Sequence, residues 1–251
     1  MKRECAEAAY KLIKNGMTIG LGGGRTIQYL IEFINMGNLD QIKVVTASMS
    51  TALACKSHGI TVIPTWLTSS LDIAFDGCDQ VDESLNALKS GGAIHTQERI
   101  VAAMAKQYVL LVDSSKLVQK LTFDYPVAVE VVPEAFSYVK SQLEKMGAQV
   151  AWRTGSGKDG GVMTDQGNPV MDAAFNTVDD VAALNRRISD IPGVVDTSLF
   201  VGIAAKAIVA QPDGTVTVID RPRFERIFRN ESILTERINE KVFHRFVFIT
   251  D

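Results

Sequence analysis

The run Met17-Thr18-Ile19-Gly20-Leu21 is short and apolar, and it ends in Gly22-Gly23-Gly24. Immediately after, Ile27, Leu30, Ile31 and Ile34 recur at three- and four-residue steps, the spacing of an amphipathic helix. A buried strand that turns through glycines into a helix is the building unit of a parallel sheet. The unit recurs downstream. Residues 4–14 read as a helix, 43–46 as a strand, 51–57 as a helix, and 60–63 and 71–75 as strands. Residues 98–106 read as a helix, and Tyr108-Val109-Leu110-Leu111-Val112 as a strongly apolar strand. This alternation predicts a Rossmann-like, doubly wound, mostly parallel α/β sheet with helices on both faces.

The rhythm changes near Tyr125-Pro126. Residues 127–132 read as a strand, 134–145 as a helix and 148–153 as a strand. A glycine-rich loop over 154–161 follows. Residues 162–164 and 170–172 then flank the turn Asp165-Gln166-Gly167-Asn168, before a helix over 179–189. That segment predicts a smaller antiparallel α+β (ferredoxin-like) unit. Residues 199–209 and 215–219 read as strands that return to the first sheet. The expected division is an α/β domain of 1–124 and 198–220, an inserted α+β domain of 125–197, and a C-terminal extension of 221–251. The extension holds seven Arg/Lys against five Asp/Glu and a partly amphipathic apolar spacing.

Composition narrows the function classes. With 46% hydrophobic residues and a net charge of −3, the 251-residue chain has material for a large core and offers no basic stripe for nucleic acid. No run approaches 18 apolar residues, and the N-terminus lacks the apolar core of a signal peptide. Cys5, Cys55 and Cys78 are odd in number and without C-x-x-C spacing, which points to a reducing, cytoplasmic setting.

Three segments carry candidate chemistry. Glycines before a helix let the backbone approach an anion, so Gly20 to Thr26 suits phosphate. A dinucleotide fingerprint would need glycine where Arg25 stands, and a Walker loop would need Gly-Lys-Ser/Thr; neither is present. Asp76-Gly77-Cys78-Asp79 follows a hydrophobic strand, which puts its carboxylates at the strand's ligand-binding end. Such a pair shares protons or grips sugar hydroxyls, although many D-x-x-D strings are solvated turns. Asp82 and Glu83 nearby also permit a divalent cation. Lys89-Ser90-Gly91-Gly92 is a second glycine turn entering a helix and suits an oxyanion. On spacing alone Glu98 is a solvated helix residue, and Lys116, after the strongest strand, is a surface lysine within reach of the same crevice.

In order along the chain, these segments resemble the ribose-5-phosphate isomerase A family over roughly residues 2–220. Gly20-Leu21-Gly22-Gly23-Gly24-Arg25-Thr26 is similar to G-x-G-T-G-S-T, Asp76-Gly77-Cys78-Asp79-Gln80 to D-G-A-D-E, and Lys89-Ser90-Gly91-Gly92 to K-G-G-G. Asp113-Ser114-Ser115-Lys116 is similar to D-x-S-K, and residues 126–133 to P-L-P-V-E-V-I-P, with Ala128 inserted or the register shifted. Thr164-Asp165-Gln166-Gly167-Asn168 matches T-D-x-G-N, and Ile191-Pro192-Gly193-Val194-Val195 matches I-P-G-V-V.

The resemblance implies interconversion of D-ribose 5-phosphate and D-ribulose 5-phosphate without metal or organic cofactor. It implies Glu98 as the base that moves a proton between C2 and C1, with Asp76 and Asp79 handling hydroxyl protons. Lys89 and the amides near Gly91 and Gly92 would stabilise the enediolate. Gly23, Gly24, Arg25 and Thr26 would hold the phosphate with Lys2, and Lys116 would bind the sugar. Gly77, Cys78 and Ser90 complete the implied substrate-binding set. The family also implies a homodimer or homotetramer.

The departures lie chiefly at ligand-holding positions. Gly23 stands for a threonine, Arg25 for a serine, Gln80 for a glutamate, and Ser90 and Ser198 for glycines. A guanidinium at Arg25 can grip phosphate in place of the lost hydroxyls. An isomerase of another phosphorylated aldose therefore stays open. So does a non-catalytic sugar-phosphate sensor, although repressors with a related effector fold carry an N-terminal helix-turn-helix for which the residues before Gly20 leave no length.

Overall fold

The computed structural model describes residues 1–37, 39–157 and 159–221. The chain opens with α1 (Lys2–Tyr10), β1 (Thr18–Leu21), α2 (Arg25–Met36), β2 (Lys43–Thr46), α3 (Met49–Ser57), β3 (Thr61–Val62) and β4 (Ile73–Asp76). Next come β5 (Gln80–Asp82), β6 (Ala87–Leu88), α4 (His95–Met104), β7 (Tyr108–Asp113) and β8 (Leu117–Val118). The segment after Pro126 holds β9 (Val127–Val131), α5 (Phe136–Lys145), β10 (Gln149–Trp152), β11 (Val170–Ala174), α6 (Val181–Ser189) and β12 (Val194–Thr197). It ends with β13 (Leu199–Phe200), β14 (Lys206–Ala210) and β15 (Val216–Asp220).

Seven strands form the main sheet in the order β15-β14-β7-β4-β1-β2-β3. All neighbours are parallel except β14 with β15, so the expected mostly parallel sheet is present. Its two faces are buried by different helices. Ala6 and Ala9 of α1, Ile27, Leu30, Ile31 and Ile34 of α2, and Cys55 of α3 pack on one face with Ile19, Val44 and Phe75. Val101 and Ala102 of α4 pack on the other with Ala74, Leu110 and Val209. Helices on both faces explain why these strands read as continuous apolar runs rather than alternating ones. Ser48 starts α3 as an N-cap, its side chain accepting from the Thr51 amide at 3.3 Å.

A four-stranded antiparallel sheet, β10-β11-β9-β12, forms the expected α+β unit; Val139 and Leu143 of α5 and Leu184 and Ile188 of α6 share its core. Residues 126–133 fill the eight-letter family pattern one for one, so Ala128 is neither an insertion nor a shifted register, and β9 pairs with β11 through it without a break. It occupies the place of the second proline in the family pattern.

Two expectations are corrected, and one sheet is new. Residues 199–209 are not one strand: β13 and β14 belong to different sheets, and Gly202 between them has φ +72°. Residues 162–164 make no strand and contribute a single bridge, Met163 to Pro169. A third sheet, β13-β6-β5-β8, was not foreseen. The amphipathic reading of the C-terminal extension falls on residues 222–251, outside the described residues.

Candidate active site

In the main sheet β1 and β4 are neighbours, and the chain winds outward from them in opposite directions. The crevice beyond the carboxyl ends of two such strands is where open α/β sheets bind ligands. Here β1 runs into Gly22-Gly23-Gly24, and β4 ends in Asp76 and runs into Gly77-Cys78-Asp79. A cleft of about 540 Å³ opens between them, lined by Gly23, Gly24, Asp76, Asp79, Lys89 and Glu98 among others.

The floor is a buried charge cluster. Lys89 Nζ lies 3.0 Å from Asp76 Oδ2 and 3.3 Å from Glu98 Oε2, and donates to the Gly77 carbonyl at 2.5 Å. All three ionic side chains are at most 8% exposed. The Tyr108 hydroxyl donates to Asp76 Oδ2 at 3.4 Å, and the Gly77 amide to Asp76 Oδ1 at 2.8 Å. Two carboxylates thus share one ammonium at a buried site. Burial, then the charge of Asp76, raises the Glu98 carboxyl to about 8, only partly offset by Lys89. Burial opposes the charge on Lys89, yet Asp76 and Glu98 outweigh it and hold the ammonium well above its ordinary value. Burial and Asp76 push the Tyr108 phenol up in the same way.

Glu98 reaches this floor because α4 starts at His95, three residues before the expected start. That places Glu98 in the first turn, on the buried stripe with His95, Val101 and Ala102. A glutamate on that stripe was the readable signal that it is not a solvated helix residue.

Around the floor, Asp79 Oδ2 accepts from the Gly91 amide at 3.0 Å, and Lys116 Nζ donates to the Cys78 carbonyl at 2.6 Å. The structure therefore brings Asp76, Gly77, Cys78, Asp79, Lys89, Gly91, Gly92, Glu98 and Lys116 to one cleft with Gly23 and Gly24. The Cys78 thiol is pushed up to about 12 by burial, so it is a wall and not a nucleophile.

Four sequence candidates do not line the cleft. Arg25 and Thr26 are the first residues of α2, with Arg25 exposed, and Lys2 is exposed at the start of α1. Ser90 is directed away: its hydroxyl donates to the Pro126 carbonyl and lies 3.4 Å from Ser198 Oγ. Ser198 Oγ in turn accepts from the Ala128 amide at 2.8 Å. The Ser90 and Ser198 departures and Ala128 thus form one buried clasp that ties the lysine loop to β9. Gln80 is a second tie, exchanging hydrogen bonds with Thr122 at 2.7 and 2.8 Å. Asp82 closes its own turn, accepting from the Ser84 and Asn86 amides and the Asn86 side chain at 2.8–3.0 Å. Among the described residues no group of three or more His, Cys, Asp or Glu is arranged to hold a metal ion.

Sequence reasoning missed four contributors. Ser48 and Ser50, at the start of α3, line the cleft beside Gly23, and Asp165 lines it from the segment after Pro126. Tyr108 was read only as an apolar strand residue.

Residues 43–214 match the family model of ribose 5-phosphate isomerase A (phosphoriboisomerase A). The chain belongs to the ribose 5-phosphate isomerase A family. Ribose-5-phosphate isomerase A of Thermosynechococcus vestitus is 41% identical over 233 residues, which is 91% of this chain and 96% of that protein. The solved ribose 5-phosphate isomerase A of Methanocaldococcus jannaschii has a TM-score of 0.81 at 38% identity, covering 87% of this chain and 97% of its own. A D-ribose-5-phosphate isomerase solved in complex with phospho-erythronic acid has a TM-score of 0.82 at 35% identity, covering 88% and 97%. The family resemblance seen in the motifs therefore extends over most of the chain. No helix among the described residues is long and apolar enough to cross a membrane.

Proposed function

We propose that this chain interconverts D-ribose 5-phosphate and D-ribulose 5-phosphate, with Glu98 as the base. The single observation that carries this reading is the Glu98 carboxylate buried 3.3 Å from the Lys89 ammonium on the cleft floor. With the sugar open, Glu98 takes the proton from C2, and the electron pair of that C–H bond forms the C1–C2 double bond. The C1 oxygen gains a proton and the C2 oxygen loses one, with Asp76 and Asp79 as the exchanging carboxyls. Glu98 then returns its proton to C1, leaving the ketone at C2.

A carboxyl near its ordinary value is a weak base for such a step, and its upward displacement supports the role. Lys89 and the amides of Gly91 and Gly92 offset charge on the enediolate oxygens. Gly23 and Gly24 at the start of α2 suit the phosphate. Lys116 suits the sugar.

The Gly23 position favours a second reading. A Cβ there would stand in ordinary van der Waals contact with Ser48 Oγ at 3.7 Å, so a side chain is sterically allowed where the family's threonine is missing, and that missing hydroxyl suits a different phosphorylated aldose. In either reading the protein works in the cytoplasm as a homodimer or homotetramer, and residues 125–197 are a domain inserted into the α/β domain of 1–124 and 198–220.

The experiment is ribose 5-phosphate turnover, wild type beside Glu98→Gln, with EDTA present. Turnover above about 1 s⁻¹, resistant to chelation and reduced at least a thousandfold by the substitution, supports the assignment. Wild-type inactivity on ribose 5-phosphate with turnover of another aldose phosphate selects the second reading. Binding without turnover, unchanged in Glu98→Gln, makes the protein a sensor.

A further inference from the structure

The turn Thr164-Asp165-Gln166-Gly167-Asn168 takes no part in the proton transfers above, yet Asp165 lines the cleft that contains Asp76, Lys89 and Glu98. Among the described residues it is the one lining residue that comes from 125–197. The turn is closed without it. Thr164 N–H donates to the Asn168 carbonyl at 2.8 Å, and Gly167 N–H, at φ +83°, to the Thr164 carbonyl at 2.9 Å. Asn168 N–H donates to Thr164 Oγ1 at 3.2 Å. An aspartate in a turn ordinarily caps its own backbone. Among the described residues the Asp165 carboxylate accepts no such bond and stands exposed at the tip.

The turn is held by Glu130, a β9 residue only 2% exposed. Glu130 Oε1 accepts from Thr164 Oγ1 at 3.0 Å and from Asn168 Nδ2 at 2.7 Å. Its Oε2 accepts from Thr96 Oγ1. Thr96 lies in the first turn of α4, two residues before Glu98. One buried carboxylate thus fastens the turn that carries Asp165 to the helix that carries the base.

We propose that Asp165 is a specificity-determining residue, its carboxylate accepting hydrogen bonds from substrate hydroxyls, and that Glu130 is the positioning residue that holds it there. A carboxylate on this wall also repels a phosphate dianion, which turns the phosphate toward Gly23 and Gly24. The inference rests on the sugar-phosphate isomerase reading.

The test is steady-state kinetics on ribose 5-phosphate for wild type, Asp165→Ala, Asp165→Asn and Gln166→Ala. A charge-assisted hydrogen bond lost to solvent corresponds to about a tenfold or greater change. Asp165→Ala should raise KM about tenfold with kcat within about twofold. Asp165→Asn, which keeps an acceptor but no charge, should recover part of that loss. Gln166→Ala, on the same turn but not lining the cleft, should match wild type. Glu130→Gln should raise KM as Asp165→Ala does, and the double variant should be no worse than either. Asn168→Ala replaces Glu130→Gln should the latter not fold. An unchanged KM in Asp165→Ala, beside an active wild type, overturns the specificity role alone. An additive double variant overturns the positioning role. A wild type that turns over no aldose phosphate removes the isomerase reading and this assignment together.

Discussion

Gly22 and Asp76 meet across the β1–β4 junction so closely that a Cβ on Gly22 would fall on the Asp76 carboxylate. The backbone cannot retreat. The Gly22 amide donates to the Phe75 carbonyl at 2.8 Å, and its own carbonyl accepts from Thr51 Oγ1 at 2.8 Å. Gly22→Ala should therefore displace the Asp76 side chain while leaving the sheet intact. A displacement of about 1 Å at a reacting group costs about a hundredfold in rate. We expect kcat to fall by that order with an unchanged circular-dichroism spectrum; wild-type kcat in the folded variant would refute the steric account.

Glu98 titrates in the folded protein at about 8, against an ordinary carboxyl value of 4.5. A raised carboxyl stabilises the fold fully below its unfolded value, and that contribution is lost as pH climbs through the folded value. Glu98→Gln keeps the shape and removes the ionisation. The variant should gain stability relative to wild type progressively between pH 5 and 8.5, read as the difference in Tm. The same titration sets an acid limb near pH 8 on wild-type kcat/KM. A Tm difference that does not change with pH would contradict both statements.

Lys89 is the one side-chain cation in contact with the buried Asp76 and Glu98 among the described residues. Removing one partner of a buried ion pair typically costs about 3–5 kcal/mol. Lys89→Met should lose that much at pH 8, measured by urea unfolding, and recover much of it at pH 5.5, where Glu98 takes up a proton. Equal destabilisation at both pH values would mean that lost packing against Phe200, whose ring centre lies 5.6 Å from the ammonium, is the main effect.

The serine clasp should couple. Ser198→Gly leaves the buried Ala128 amide without its acceptor, a loss of about 1–3 kcal/mol. Ser90→Gly releases the Pro126 carbonyl. Because the two hydroxyls are 3.4 Å apart, the double variant should be less destabilised than the sum by at least about 0.5 kcal/mol. Additive losses would show two independent ties.

Much of this was legible in the chain itself. Strands such as β7 and helices such as α2 carry enough consecutive apolar or periodic residues to announce their type. Strands β5, β6, β8 and β13 are only two or three residues long and show no period, so the sheet they form could not be read. The apolar run after Leu199 conceals a break at Gly202, and only the backbone reveals that its two halves serve different sheets. At the site, the glycine loop and D-x-x-D string marked the crevice because their geometry is local. Ser90 looked like a ligand-side residue because sequence carries no direction: whether its hydroxyl faces the sugar or Pro126 is decided by β9, far along the chain. Tyr108 and Asp165 enter through the same kind of long-range contact.

The pairing of β6 with β13 also sets when the edge beside Lys89 can close. Ala87 and Leu88, beside Lys89, have no partner on one side until Leu199 and Phe200 have been synthesised and released. The hydroxyls of Ser90 and Ser198 meet across a sequence gap of 108 residues. During translation the main-sheet strands through β7 have emerged long before, yet the lysine loop stays open at that edge. A nascent chain stalled before residue 199 would carry most of the cleft's side chains without the strand that closes them. Closure of the lysine loop is in this sense a late event of biosynthesis.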